Sequence, residues 1–130
     1  MITNTTDFVC KIHLIISVLL VVPVAFFYGT DPIYLLDITV ATTDERNFFK
    51  AIMGLYLGFS ALWVLGLFNT SYLRMALISN MIFMLGLGAG RLLSICIDGA
   101  PTLAYVLGTI GELFLGIYGI WVLKNNKEYQ

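Results

Sequence analysis

The chain has 130 residues; 59% are hydrophobic, 14% aromatic and 12% charged, and its mean hydropathy is +0.91. Soluble domains run at roughly 45–50% apolar and about 25% charged, so a soluble single domain is disfavoured, while low charge and high aromatic content exclude disorder. A net charge of −1 offers no basic face to a nucleic acid.

A membrane span needs roughly 20 mostly apolar residues, and four stretches qualify: about 8–28, 46–68, 73–97 and 102–123. They are too long and too evenly apolar for barrel strands, which are about 10 residues and alternate. The expected fold is all-α: a polytopic integral membrane protein, an antiparallel four-transmembrane-helix bundle forming a single membrane domain over 1–130. The first span begins with Lys11 and His13 and contains Pro23, which is expected to kink it. It ends in Phe26-Phe27-Tyr28 with no small-x-small cleavage site, so it reads as a retained span with an aromatic interface. His13 reads as an interface residue at the inner end.

The connection of about 29–45 carries Ile33, Tyr34, Leu35, Leu36, Ile38 and Val40. It is too apolar for a free linker and suits a segment lying over the bundle. Thr42, Thr43 or Asp44 is the expected cap of span two, with Asp44 and Glu45 favoured by the helix dipole. Asn69-Thr70-Ser71 and Asp98-Gly99-Ala100-Pro101 break the remaining run. Gly99 suits the end of one helix and Pro101 the first turn of the next. Orientation follows Lys and Arg placement. With the N-terminus inside, Lys11, Arg74, Lys124 and Lys127 are cytoplasmic, against Arg46 and Lys50 outside. Both termini are expected in the cytoplasm, the chain lying in the inner cell membrane as a multi-pass protein. Cys10 and Cys96 then fall at opposite faces, too far apart for a disulfide, whose Cα atoms lie within about 7 Å.

Ionisable residues inside a span are expensive, and the default reading is functional. Arg91 and Glu112 qualify. Seven residues separate Arg91 from Asp98, and eleven separate Glu112 from Pro101. At 1.5 Å per residue they lie about 10 Å and about 16 Å below the outer end. Helical side chains lean toward their own N-terminus, and the two spans run oppositely, so the difference closes and an Arg91–Glu112 ion pair is expected. Asn80 and Asp98 fall within about 20° of Arg91 around the helix, with Ser94 at the edge. Tyr105 and Gly119 line up with Glu112, and Thr109 sits beside it. Arg46 and Lys50 share a face of span two and point to the outer mouth of this polar seam. The candidate ligand-binding residues are thus Arg91, Glu112, Asp98, Arg46, Lys50, Asn80 and Tyr105. The same pair also suits a purely structural role, fixing helix register. Gly54 and Gly58, Gly86 and Gly90, and Gly108, Gly116 and Gly119 allow close backbone approach; packing within the bundle is the plain reading, a homo-oligomer contact the sharper one.

No nucleotide, P-loop or zinc-protease motif occurs, and one histidine cannot build a multi-histidine metal or haem site. No metal or cofactor is expected.

The stretch Glu45-Arg46-Asn47-Phe48-Phe49-Lys50-Ala51 with Gly54-Leu55-Tyr56-Leu57, then Gly90-Arg91-Leu92-Leu93-Ser94 with Asp98-Gly99, then Gly111-Glu112 resembles a bacterial four-helix membrane family, domain of unknown function 4345. The resemblance covers about 14–123, and the family is loosely similar in helix count to DoxX-like membrane proteins. It implies no established activity. It does imply that Arg46, Arg91, Asp98 and Glu112 belong to one pattern.

Three functions fit. The first is binding of an anionic or amphiphilic small molecule or lipid in an intrabundle pocket open to the outer face. The second is a structural or accessory subunit with a membrane-protein or homo-oligomeric partner. The third is an intramembrane acid/base enzyme using Glu112, disfavoured because no second catalytic group is evident.

Overall fold

The computed structural model describes residues 5–125. Helix α1 (Thr5–Gly29) runs unbroken through Pro23. The connection folds a single short turn, α2 (Ile33–Leu36), which ends at Asp37 in the left-handed region with φ 53°. Next comes α3 (Thr43–Phe68), opened by a capping box. Of the three candidate caps, Thr42 takes the role because Glu45 lies three residues beyond it. Thr42 Oγ1 accepts from the Glu45 N–H at 3.2 Å, and Glu45 Oε2 accepts from the Thr42 and Ala41 N–H groups at 2.9 and 2.7 Å.

Asn69 alone joins α3 to α4 (Thr70–Asp98). Its extended backbone ends one helix, and its Oδ1 accepts from the Ser71 N–H at 3.0 Å to start the next. Gly99, at φ 100°, closes α4 in a conformation that costs a side-chain-bearing residue more than glycine. Then α5 (Leu103–Asn125) begins two residues after Pro101. The proline therefore lies in the connection rather than in the first turn, and the Thr102 carbonyl accepts from the Tyr105 and Val106 N–H groups.

The four long helices form an antiparallel bundle, each long and apolar enough to cross a membrane. Helix α1 packs along α3, α3 along α4 and α4 along α5, whereas α1 and α5 meet over a much smaller area. The interior is mostly apolar, as in a soluble bundle, but the outward faces are apolar too, and several polar residues lie inside. Leu19, Leu93, Phe114 and Ile117 are exposed, while His13, Ser17, Ser60, Asn80 and Thr109 are buried. Lipid solvates apolar side chains as well as a protein core does, so helix association rests on packing and interhelical hydrogen bonds.

The packing is built from aromatics and glycines. Trp63, Phe83, Tyr56 and Phe59 interlock between α3 and α4, with Trp63 Nε1–H donating to Ser79 Oγ at 3.2 Å. Gly88 and Gly116 bring α4 and α5 together: a Cβ at either would fall 2.5 Å from Leu113 or Leu85. Gly54, Gly58, Gly86 and Gly90 instead face open space. The in-bundle role expected of those two pairs thus belongs to other glycines, because a four-residue spacing marks a face without saying which way it turns.

Candidate functional site

Arg91 lies two turns from the end of α4 and Glu112 two turns into α5. The glycine contact at Gly88, one turn from Arg91, draws these two helices close. There the Arg91 Nε–H donates to both carboxylate oxygens, at 2.8 Å to Oε2 and 3.1 Å to Oε1. The side chains are 20% and 15% exposed. The glutamate engages Nε alone, so the terminal nitrogens are left over. Tyr105 lies over the guanidinium, its ring centroid 5.3 Å from Cζ, a geometry in which the ring's negative face attracts the cation. Its hydroxyl donates to the Leu36 carbonyl at 2.8 Å, which ties α2 to α5 as a cover on this end. Tyr28 is in electrostatic contact with both Arg91 and Tyr56.

The other expected members of the seam are placed differently. Asp98 is exposed and accepts from Ser94 Oγ at 2.8 Å; it lies at the helix end, two turns from Arg91, too far along the axis to share its pair. Asn80 shares Arg91's angular position but sits three turns away and bonds to Ser17 instead. Thr109 bonds to its own helix, at the Tyr105 carbonyl. Arg46 and Lys50 are exposed and line a separate groove of about 330 Å³ with Tyr28, Asp31, Thr39 and Phe49. Tyr28 forms the wall between that groove and the ion pair, stacked on Phe49 and edge-on to Tyr56. The seven residues thus make a pair with its covering tyrosine, an outer basic groove, and two outliers.

A second opening, a cleft of about 270 Å³, lies on the α1–α5 side, where the two helices are less extensively packed than the other neighbours. Its walls are apolar, from Leu20, Val21 and Val24 on α1 to Leu107, Gly108 and Gly111 on α5; Tyr56 and Glu112 are its polar lining. Sequence reasoning missed Tyr28, since a tyrosine at a span end reads equally as an interface anchor, and Tyr56, since a mid-span aromatic reads equally as packing. It also misplaced His13, which is fully buried rather than interfacial. The available signal was that His13 and Ser17 are four residues apart and so share a helical face.

Fold and site together define a class: a four-helix, membrane-spanning type of bundle with one covered Arg–Glu pair in its interior. More particularly, the chain belongs to the family described as Domain of unknown function (DUF4345), whose model matches residues 9–123. No curated protein and no solved structure matches it.

Proposed function

We propose that this multi-pass membrane protein binds a lipid-soluble amphiphile in the cleft between α1 and α5. The hydrogen-bonding head meets Glu112 and Tyr56, and the apolar body lies between the two helices. One observation carries this reading: an apolar cleft of about 270 Å³ whose polar lining is a carboxylate and a phenol, where a bundle closed on all sides would have a packed helix contact. Such pockets, apolar with few placed polar groups, are the usual form of small-molecule sites. Glu112 already holds Arg91, so the pair is close to neutral, and a neutral head with a hydroxyl to donate fits best. An anionic head fits the groove at Arg46 and Lys50 instead. We place the chain in a bacterial inner membrane, with both termini on the cytoplasmic side, an orientation that Lys and Arg placement supports, and with the groove and the short α2 outside.

Long-chain alcohols, isoprenoid quinols, fatty acids and phospholipids screened against the detergent-purified protein test this by thermal stabilisation. A ligand at 100 times its Kd adds about 2.7 kcal/mol. Gly111→Leu projects into open space in the cleft, so that variant is expected to fold normally and lose the stabilisation. Equal stabilisation of the variant, or none from any amphiphile in the native chain, overturns the reading.

A second reading, an accessory subunit or homo-oligomer, is favoured by one feature. Gly54 and Gly58 face outward on α3 and, with Leu55, Phe59 and Leu62, line a shallow groove of the kind at which transmembrane helices associate. Mass measurement of Gly54→Leu in detergent separates the readings: a loss of mass relative to the native chain supports the association, and an unchanged monomer removes it.

A further inference from the structure

The half of the bundle that bears the termini contains a second polar centre, unrelated to the Arg91–Glu112 pair. His13 and Ser17 on α1 and Asn80 on α4 are all 0% exposed. His13 Nε2 lies 2.8 Å from the Leu115 carbonyl of α5. A carbonyl accepts only, so Nε2 carries the proton, and in the neutral imidazole Nδ1 holds a lone pair. Ser17 Oγ lies 3.0 Å from the His13 carbonyl and 3.3 Å from Asn80 Oδ1. One hydroxyl hydrogen cannot serve both fully.

His13 Nδ1 and Asn80 Nδ2 have no partner among the described residues, and neither does Ser60 Oγ. Turning the carboxamide over does not repair this. Nδ2 would then donate to Ser17, and Oδ1 would be left instead. Each buried polar group left unmatched costs roughly 1–3 kcal/mol, and none of these atoms has bulk water to turn to. The two orphans of the His13–Asn80 group are complementary, one an acceptor and one a donor, on residues that both meet Ser17, His13 through its backbone carbonyl and Asn80 through its carboxamide. Gly119 lets α5 pack closely on the imidazole: a Cβ there would stand 3.4 Å from His13 Nε2 and 3.2 Å from Met81 Cβ.

We propose that this centre binds a water molecule, which accepts from Asn80 Nδ2–H and donates to His13 Nδ1. We assign its second hydrogen to the Ser17 hydroxyl oxygen, which makes about the three partners that buried waters typically have. The site is a hydrated imidazole inside the membrane-spanning part of the bundle. Its consequence is proton exchange at a histidine otherwise sealed from solvent. The titratable neighbours are Cys10, one turn earlier on α1, and Tyr118, whose ring meets the imidazole edge-on at 4.9 Å.

Because the chain has one histidine, its imidazole nitrogens give unique signals in solid-state NMR of the ¹⁵N-labelled protein in lipid bilayers. The expected spectrum has a protonated Nε2, an unprotonated but hydrogen-bonded Nδ1, and magnetisation transfer from water protons to Nδ1. In Asn80→Leu the transfer is lost and Nδ1 moves to its unbonded shift, with Nε2–H retained. A proton on Nδ1, or no transfer from water in the native protein, overturns the proposal, as does undiminished transfer in Asn80→Leu. Should that variant not fold, the native spectrum decides by itself.

Discussion

A guanidinium has five donors in a fixed fork, and Glu112 engages only the Nε edge of Arg91. That choice leaves the cation's face to Tyr105, and Tyr28 also interacts with the guanidinium, so the pair is flanked by a tyrosine of its own helix α5 and one of α1. Removing one partner of a buried pair leaves an uncompensated charge, typically costing about 3–5 kcal/mol, whereas replacing both by apolar residues is often neutral. Arg91→Met alone is therefore expected to destabilise strongly, and Arg91→Met with Glu112→Leu to recover most of the loss, read as unfolding free energies in mixed micelles. Recovery of fold without recovery of ligand stabilisation would separate the structural from the binding role. A smaller residue-scale effect sits at the α3 cap. Thr42→Ala removes the acceptor for the Glu45 N–H and is expected to cost about 1 kcal/mol in the same unfolding measurement, with ligand stabilisation unchanged.

Among the elements, α4 and α5 are held at backbone distance by Gly88 and Gly116, and this approach lets Arg91 and Glu112 touch. Gly88→Leu forces a large side chain against Leu113 and is expected to cost at least the 1–3 kcal/mol usual for overpacking, with loss of the ion pair. Gly86→Leu, two residues away and facing open space, is the control expected to leave thermal stability within about 0.5 kcal/mol. The sequence shows both glycines in the same run, and no spacing rule tells them apart. Inward and outward differ here by two residues, about 200° around the helix.

For the whole molecule, the uneven packing of the four helices matters most. Three of the four neighbouring contacts are extensive, and the α1–α5 contact is the weak side on which the cleft opens. Spin labels introduced at Leu20→Cys and Leu107→Cys, on its two walls, are expected to show a broad distance distribution in bilayers that narrows when an amphiphile is bound. Labels across the packed α3–α4 face should give a narrow distribution with and without it. A distribution across α1–α5 as narrow as that across α3–α4 would remove the opening on which the binding reading depends.

Hydropathy by itself determined four long apolar helices and their antiparallel order, because span length and short turns leave few alternatives. It also determined that Arg91 and Glu112 meet, since both sit deep on adjacent helices joined by a tight turn. What only the tertiary structure decided is the company they keep. Tyr28 and Tyr56 come from other helices, Asp98 and Asn80 share an angle with Arg91 but not a depth, and His13 turns inward to a carbonyl on α5. The physical reason is that one-dimensional periodicity fixes direction around a single helix axis. Which neighbour a face meets, and at what height, depends on how closely the helices can approach, and here that is set by glycines whose role becomes visible only once the helices are packed.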